Sequence, residues 1–222
     1  MCGRFTLTVD PAELKDLFGD FNFPNQFSPR FNIAPTQPVL AIPNDGKNKA
    51  DFFLWGLIPS WSKDPTIANK LINARGETIA EKPSFRGAFK YKRCLILTDG
   101  FYEWKVQEGV KTKTPYFIHM KDRKAFAFAG LWDEWKSPNG DALRTCTIIT
   151  INPNELMSTL HNRMPVILDK MNFAEWLDPA PRTPESLLHL IQPFPAVNMS
   201  AYPVSTMVNS PGNDRAELVV PV

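Results

Sequence analysis

Residues 93–104 read Arg93-Cys94-Leu95-Ile96-Leu97-Thr98-Asp99-Gly100-Phe101-Tyr102-Glu103-Trp104. Behind Arg93 the unbroken apolar run Cys94 to Leu97 gives Arg93 to Leu97 the pattern of a buried strand. Asp99-Gly100 stops it with a turn signal, and a new strand, Phe101 to Val106, starts at once. Across Glu108-Gly109 and a lysine-bearing loop, that strand is expected to pair with Tyr116 to Met120. Short strands meeting through turn residues, not a helical period, set the fold class here.

The same grammar extends in both directions. Upstream, Phe31 to Thr36 leads into a strand at Val39 to Ile42, which the turn Asn44-Asp45-Gly46 connects to another at Asp51 to Leu57. That strand carries Phe52, Phe53 and Trp55 and runs into Pro59-Ser60-Trp61. Downstream, Ala125 to Trp132 and Arg144 to Ile151 form an antiparallel pair joined through Ser137-Pro138-Asn139-Gly140. A terminal piece, Ala216 to Val220, is expected to be extended and to close a sheet.

Helical signals are short. Asp10 can cap a helix with Pro11 at its first position and Glu13 in the capping-box slot; Leu14, Leu17 and Phe18 give the apolar face and Gly19 the stop. Brief helices are also expected at Asn154 to Leu160, Asn172 to Leu177 and Pro184 to Ile191. Residues 22–30 read as a loop and residues 73–90 as mostly irregular. The fold class is therefore α+β, one mixed domain over residues 1–222 of mostly antiparallel short strands with a few short helices.

Composition bounds the function. Among 222 residues, 43% are apolar and 22% charged, the ordinary globular balance. A net charge of +2 excludes a global polycation, so any nucleic-acid site must be a local patch. Proline is frequent at 21 residues, which favours edges and rigid loops. Cys2, Cys94 and Cys146 form no paired motif and fit a reduced compartment; with three scattered histidines they offer no metal-ligand spacing. There is no signal-like leader and no membrane-length apolar run. The expectation is a cytoplasmic protein, nucleoid-associated if bacterial, with no metal or other cofactor and no membrane contact, monomeric by default.

The chain opens Met1-Cys2-Gly3-Arg4-Phe5. Removal of Met1 leaves Cys2 with an amine (pKa about 7.7–8.0) and a thiol (about 8.5) on adjacent carbons. Such a pair reacts distinctively with an aldehyde: the amine forms a Schiff base and the thiolate closes a thiazolidine ring on the same carbon. If Met1 stays, the amine is locked in a peptide bond and the ring cannot form.

Three further motifs place polar groups in apolar surroundings. Asn73-Ala74-Arg75-Gly76-Glu77-Thr78 combines an amide, a guanidinium and a carboxylate. Glu103 stands between aromatics, where burial would raise its pKa toward neutrality. His161-Asn162-Arg163-Met164-Pro165 puts an imidazole just past a helix end. Each also has a purely structural reading. Arg75 can pair with Glu77, Glu103 can lie on a solvated strand face, His161 can complement a helix dipole, and Trp61 can be core.

Taken together, MCGRF (1–5), RFNIAPTQ (30–37), WGLIPSW (55–61), INARGET (72–78), DGFYEW (99–104), FAGLW (128–132), HNRMPVIL (161–168) and the closing VNSPGNDRAELVVPV resemble, in order, the SRAP family of SOS-response-associated or abasic-site processing proteins. The likeness covers essentially the whole chain. It implies a protein that shields abasic sites in single-stranded DNA through a thiazolidine crosslink at Cys2. It implies catalytic roles for Asn73, Glu103 and His161: Asn73 holding Cys2 or the opened sugar, Glu103 moving protons, His161 assisting at the sugar. It further implies DNA contacts at Gly3, Arg4, Pro35, Trp61, Arg75, Arg86 and Trp104. Where some relatives carry a second Trp, this chain has Ser62. Two rival readings remain at this level: a cysteine peptidase, including one that only removes its own Met1, and a non-covalent single-strand-binding module.

Overall fold

The computed structural model describes residues 2–19, 21–107, 109 and 112–222. Met1, Glu108 and part of the lysine-bearing loop therefore lie outside the described residues. The strands are β1 Phe5–Leu7, β2 Arg30–Ile33, β3 Pro38–Pro43, β4 Asp51–Trp55, β5 Asn73–Arg75, β6 Arg93–Thr98, β7 Gly100–Lys105, β8 Thr114–Met120, β9 Phe126–Lys136, β10 Ala142–Ile151, β11 Met164–Pro165, β12 Ile167–Leu168 and β13 Met199–Pro203. Four short helices join them: α1 Pro11–Phe18, α2 Arg86–Tyr91, α3 Glu155–Ser158 and α4 Phe173–Trp176. The α+β reading holds.

Two sheets share this chain. In one, β3, β4, β6, β9 and β10 close on themselves, because β9 pairs with both β6 and β10 and β10 returns to β4. Closure requires a strand long enough to serve two neighbours. At the crossing sits Gly130, opposite both Cys94 and Ile148. A Cβ there would stand 2.8 Å from Ile96 and 2.9 Å from the Cys94 sulfur, so the barrel seam tolerates no side chain. The ladder is not wholly antiparallel, since β10 runs parallel to β4 and β5.

The second sheet has the order β13-β8-β7-β1-β2. Its inner face packs on the barrel through aromatics. Phe5 lies 5.0 Å from Trp55 and 5.8 Å from Phe128, and Phe101 meets Phe128 at 5.7 Å, all tilted or edge-on as ring quadrupoles prefer. Burying Phe5 completely ties the N-terminal strand down; by analogy with other cores its truncation to Ala would cost about 3–5 kcal/mol. Asp99, at the entry to β7, accepts hydrogen bonds from the Thr6 and Thr8 hydroxyls and the Thr8 N–H, a second lock on β1.

Several expectations are corrected. Residues 73–90 are not irregular: they hold β5, a 3-10 turn at Gly76–Thr78 and α2. Residues 184–191 form two separate 3-10 turns instead of one helix. Ala216–Val219 is also a 3-10 turn, and Pro221 contributes only an isolated bridge to Val204. The segment 205–222 is instead a strap laid over the second sheet, with Val208 and Leu218 packed on Tyr102 and Phe117. By contrast α1 is as read: Asp10 accepts from the Glu13 N–H at 2.8 Å and Gly19 closes it at φ +65.

Candidate active site and surrounding surface

The N-terminus is placed by strand register. Phe5 pairs with Phe101, Thr6 with Gly100, and the Tyr102 N–H donates to the Arg4 carbonyl at 2.9 Å. The same register carried back sets Gly3 level with Glu103. Cys2, wholly buried, belongs to the main core, and the Asn73 side-chain amide donates to its carbonyl at 2.8 Å. Asn73 can reach it because β5 is added to the barrel beside β10, opposite Ile148.

Glu103 is 2% exposed, which removes the solvated-face reading. Burial pushes its carboxyl up to about 7, against the opposing pull of the Trp104 N–H and the Lys113 charge. Burial also raises the Cys2 thiol well above the usual thiol range, and the Glu103 carboxylate adds to that rise. The thiol therefore rests protonated beside a carboxyl that changes charge near neutrality.

His161 follows α3, its N–H donating to the Met157 carbonyl at 2.8 Å. The Arg163 N–H donates to its Nδ1 at 3.0 Å, which makes Nδ1 an acceptor and puts the neutral ring's proton on Nε2. Nε2 is the nitrogen facing Glu103, 4.0 Å from Oε2. Burial lowers the pKa of His161, so near neutrality it is an uncharged imidazole.

Arg75 does not pair with Glu77. Arg163 takes Glu77 in a bidentate grip and also donates to the Thr150 carbonyl and Asn152, fixing the 161–163 turn to β10. Side-chain bonding to Arg163 holds Glu77 below the usual carboxylate range. Arg163 is thus a support that its place in the His161 motif alone did not single out. Sequence spacing carried no signal for a partner 86 residues away.

The candidate nucleic-acid contacts scatter in character. Trp61 is 62% exposed, on the loop that Gly56 opens at φ +134, where a Cβ would stand 2.6 Å from the Ala68 carbonyl oxygen. Arg75 is exposed on β5, opposite Thr150. Arg86 is exposed at the start of α2, which packs on β6 and β9. Pro35 is half-buried beside Thr36, a β-branched residue held at φ +67. Gly3 is half-buried. Arg4 stacks over Trp104 at 5.8 Å, and both are half-buried. Ser62 serves locally, its carbonyl accepting from the Trp135 indole and its hydroxyl donating to the Asp64 carbonyl.

A cleft of about 480 Å³, lined by Phe18, Phe126, Ile167, Phe173 and neighbours, lies elsewhere. Met120 on its wall is level with Asp99, four residues along β7 from Glu103, or about 13 Å. The candidate residues Cys2, Asn73, Glu103 and His161 gather at the Cys2 corner and none of them lines that cleft. Among the described residues no group of three His, Cys, Asp or Glu side chains could hold a metal ion.

Three comparisons agree. Residues 1–211 match the family described as SOS response associated peptidase (SRAP). The chain is 49% identical over 225 residues to abasic site processing protein YoqW of Bacillus subtilis, covering 99% of each. It is 35% identical to abasic site processing protein HMCES of Gallus gallus, covering all of this chain and 78% of that one. Its fold overlays a crystal structure from Bacteroides thetaiotaomicron at TM-score 0.89 and 26% identity, each chain covered in full. From the order of its motifs, the convergence of residues 2, 73, 103 and 161, and a match spanning nearly its full length, this chain belongs to the SRAP family.

Proposed function

We propose that this protein processes abasic sites in single-stranded DNA by forming a thiazolidine crosslink through Cys2 once Met1 is removed. The observation that carries the reading is one corner in which a buried Cys2 thiol lies within the field of Glu103, Glu103 faces His161 Nε2, and Asn73 grips the Cys2 carbonyl.

The steps balance as follows. The Cys2 amine adds to the aldehyde carbon of the ring-opened deoxyribose, and the carbinolamine loses water to leave an imine. The thiol gives up its proton as sulfur bonds to that carbon, and the former imine nitrogen takes a proton. The net change is protein plus DNA minus one water. Glu103, titrating near neutrality, gives a proton to the departing oxygen and then accepts the one that the thiol releases. His161, with its proton on Nε2, shuttles at the sugar oxygen. Asn73 keeps amine and thiol in register with the aldehyde.

The state of the thiol weighs against a cysteine-peptidase reading. A peptidase nucleophile is a lowered-pKa thiolate paired with a histidine, whereas burial raises this thiol and His161 faces Glu103. In the crosslinking reaction the thiolate is needed only after an imine stands beside it. Exposed Trp61 and Arg75 suit base stacking and phosphate contact.

The test is an intact-mass spectrum before and after incubation with a single-stranded oligonucleotide carrying one abasic site. The expected result is loss of Met1 and a heat-stable adduct at protein plus DNA minus one water. Loss of Met1 with no adduct overturns the proposal. Cys2→Ser should lose the stable adduct yet leave a Schiff base that borohydride traps.

A further inference from the structure

The strap at 205–222 makes a set of contacts that the chemistry above does not use. The Val208 carbonyl accepts from Arg4 Nη1 at 2.7 Å, and the Asn209 side-chain oxygen accepts from the Trp104 indole N–H at 2.7 Å. Asn32 completes the clamp. Its Oδ1 takes the second Nη1 hydrogen of Arg4 at 2.7 Å, while its Nδ2 donates to the carbonyls of Val208, Ser210 and Asn213. Asp214 anchors the strap to β2 through Arg30 and the Phe31 N–H.

Among the described residues, Arg4 thus donates only through Nη1. Its Nε is buried with no partner. The strap consumes one corner of the guanidinium and leaves Nη2, which is neither bonded nor buried, as the donor open to a phosphate. It also fixes the Trp104 ring under that guanidinium. Arg4 lies two residues from Cys2 and Trp104 is next to Glu103, and both are held from outside the sheet by consecutive strap residues.

We propose that the strap, through Asn209 and the Val208 carbonyl with Asn32, is the positioning element that orients Trp104 and Arg4 toward single-stranded DNA. This rests on the function proposed above. Asn209 is exposed and can be changed without opening the core.

The experiment titrates a labelled, intact single-stranded oligonucleotide by fluorescence anisotropy against wild type, Asn209→Ala, Asn209→Gln, Trp104→Ala and the Asn209→Ala/Trp104→Ala double variant, with melting midpoints in parallel. Asn209→Ala should weaken binding about fivefold, a fraction of one base-stacking contact, without a matching loss of thermal stability. Asn209→Gln, which keeps the acceptor, should recover most of the affinity. In the double variant Asn209→Ala should add nothing, because it acts through Trp104. Equal affinity of Asn209→Ala and wild type overturns the inference, as does a full additive loss in the double variant. A wild type that does not bind single-stranded DNA overturns the functional reading itself, and this inference with it.

Discussion

Arg93 and Arg4 are both guanidinium groups drawn into the protein, and the two regions that hold them are finished differently. Arg93, at the start of β6, is wholly buried and donates to five carbonyls, those of Phe89, Lys90, Trp176, Asp178 and Ala180, at 2.6–3.4 Å. Its five N–H groups are matched one for one. Burial lowers its pKa to about 10, still charged at neutrality. Among the described residues Arg4 spends two of its five. Glu77 and Glu103 divide the same way: Glu77 is gripped by Arg163 and stays ionised, while buried Glu103 is pushed up to about 7. Saturated polar groups hold the fold; those left with capacity or a shifted proton equilibrium mark the place for chemistry.

That contrast can be broken experimentally. The largest effect is expected from Cys2→Ala, which should abolish the heat-stable adduct in the mass spectrum while non-covalent binding persists. Next, Glu103→Gln should slow adduct formation by about 10³-fold in single-turnover assays, the scale of a lost proton-transfer group. If binding fell in proportion, Glu103 would belong with the structural residues.

Arg93→Met should act oppositely. It orphans five carbonyls and should lower the unfolding free energy in urea by about 3 kcal/mol, leaving the adduct rate per folded molecule intact. A selective loss of rate would erase the distinction between the two regions.

The pH dependence of stability sharpens it further. Glu103 binds its proton more tightly folded than unfolded, so its contribution is full below about pH 4.5 and is lost as pH rises toward 7. Urea melts of wild type should weaken across that window by up to about 3 kcal/mol from this group, and Glu103→Gln should remove that part of the slope. The smallest effect is expected from Trp61→Ala. It should cost about tenfold in single-strand affinity by anisotropy and nothing in melting temperature, since the ring is already in solvent.

Much of this was legible in residues 93–104. The apolar run became β6, the Asp99-Gly100 stop held, and the strand carrying Glu103 paired as expected with the one carrying Tyr116. The α1 cap was legible because a cap is a contact three residues long. What failed was non-local or short. β1, β2 and β13 are three to five residues long, too brief for a period to show. The terminal extended piece was misread because its apolar residues serve a strap packed on Tyr102, not a ladder.

By itself the sequence set what Cys2 would offer once Met1 is removed, since covalent bonds fix an amine and a thiol on adjacent carbons, and the strand-rich class, since short apolar runs and turn residues are local features. Tertiary structure decided which carboxylate stays ionised and which holds a proton near neutrality, which arginine is saturated and which keeps unspent donors, and that the closing residues reach back to Arg4. Those outcomes depend on burial and on partners up to 204 residues apart. Desolvation and hydrogen-bond choice act through space, so only the folded chain could set them.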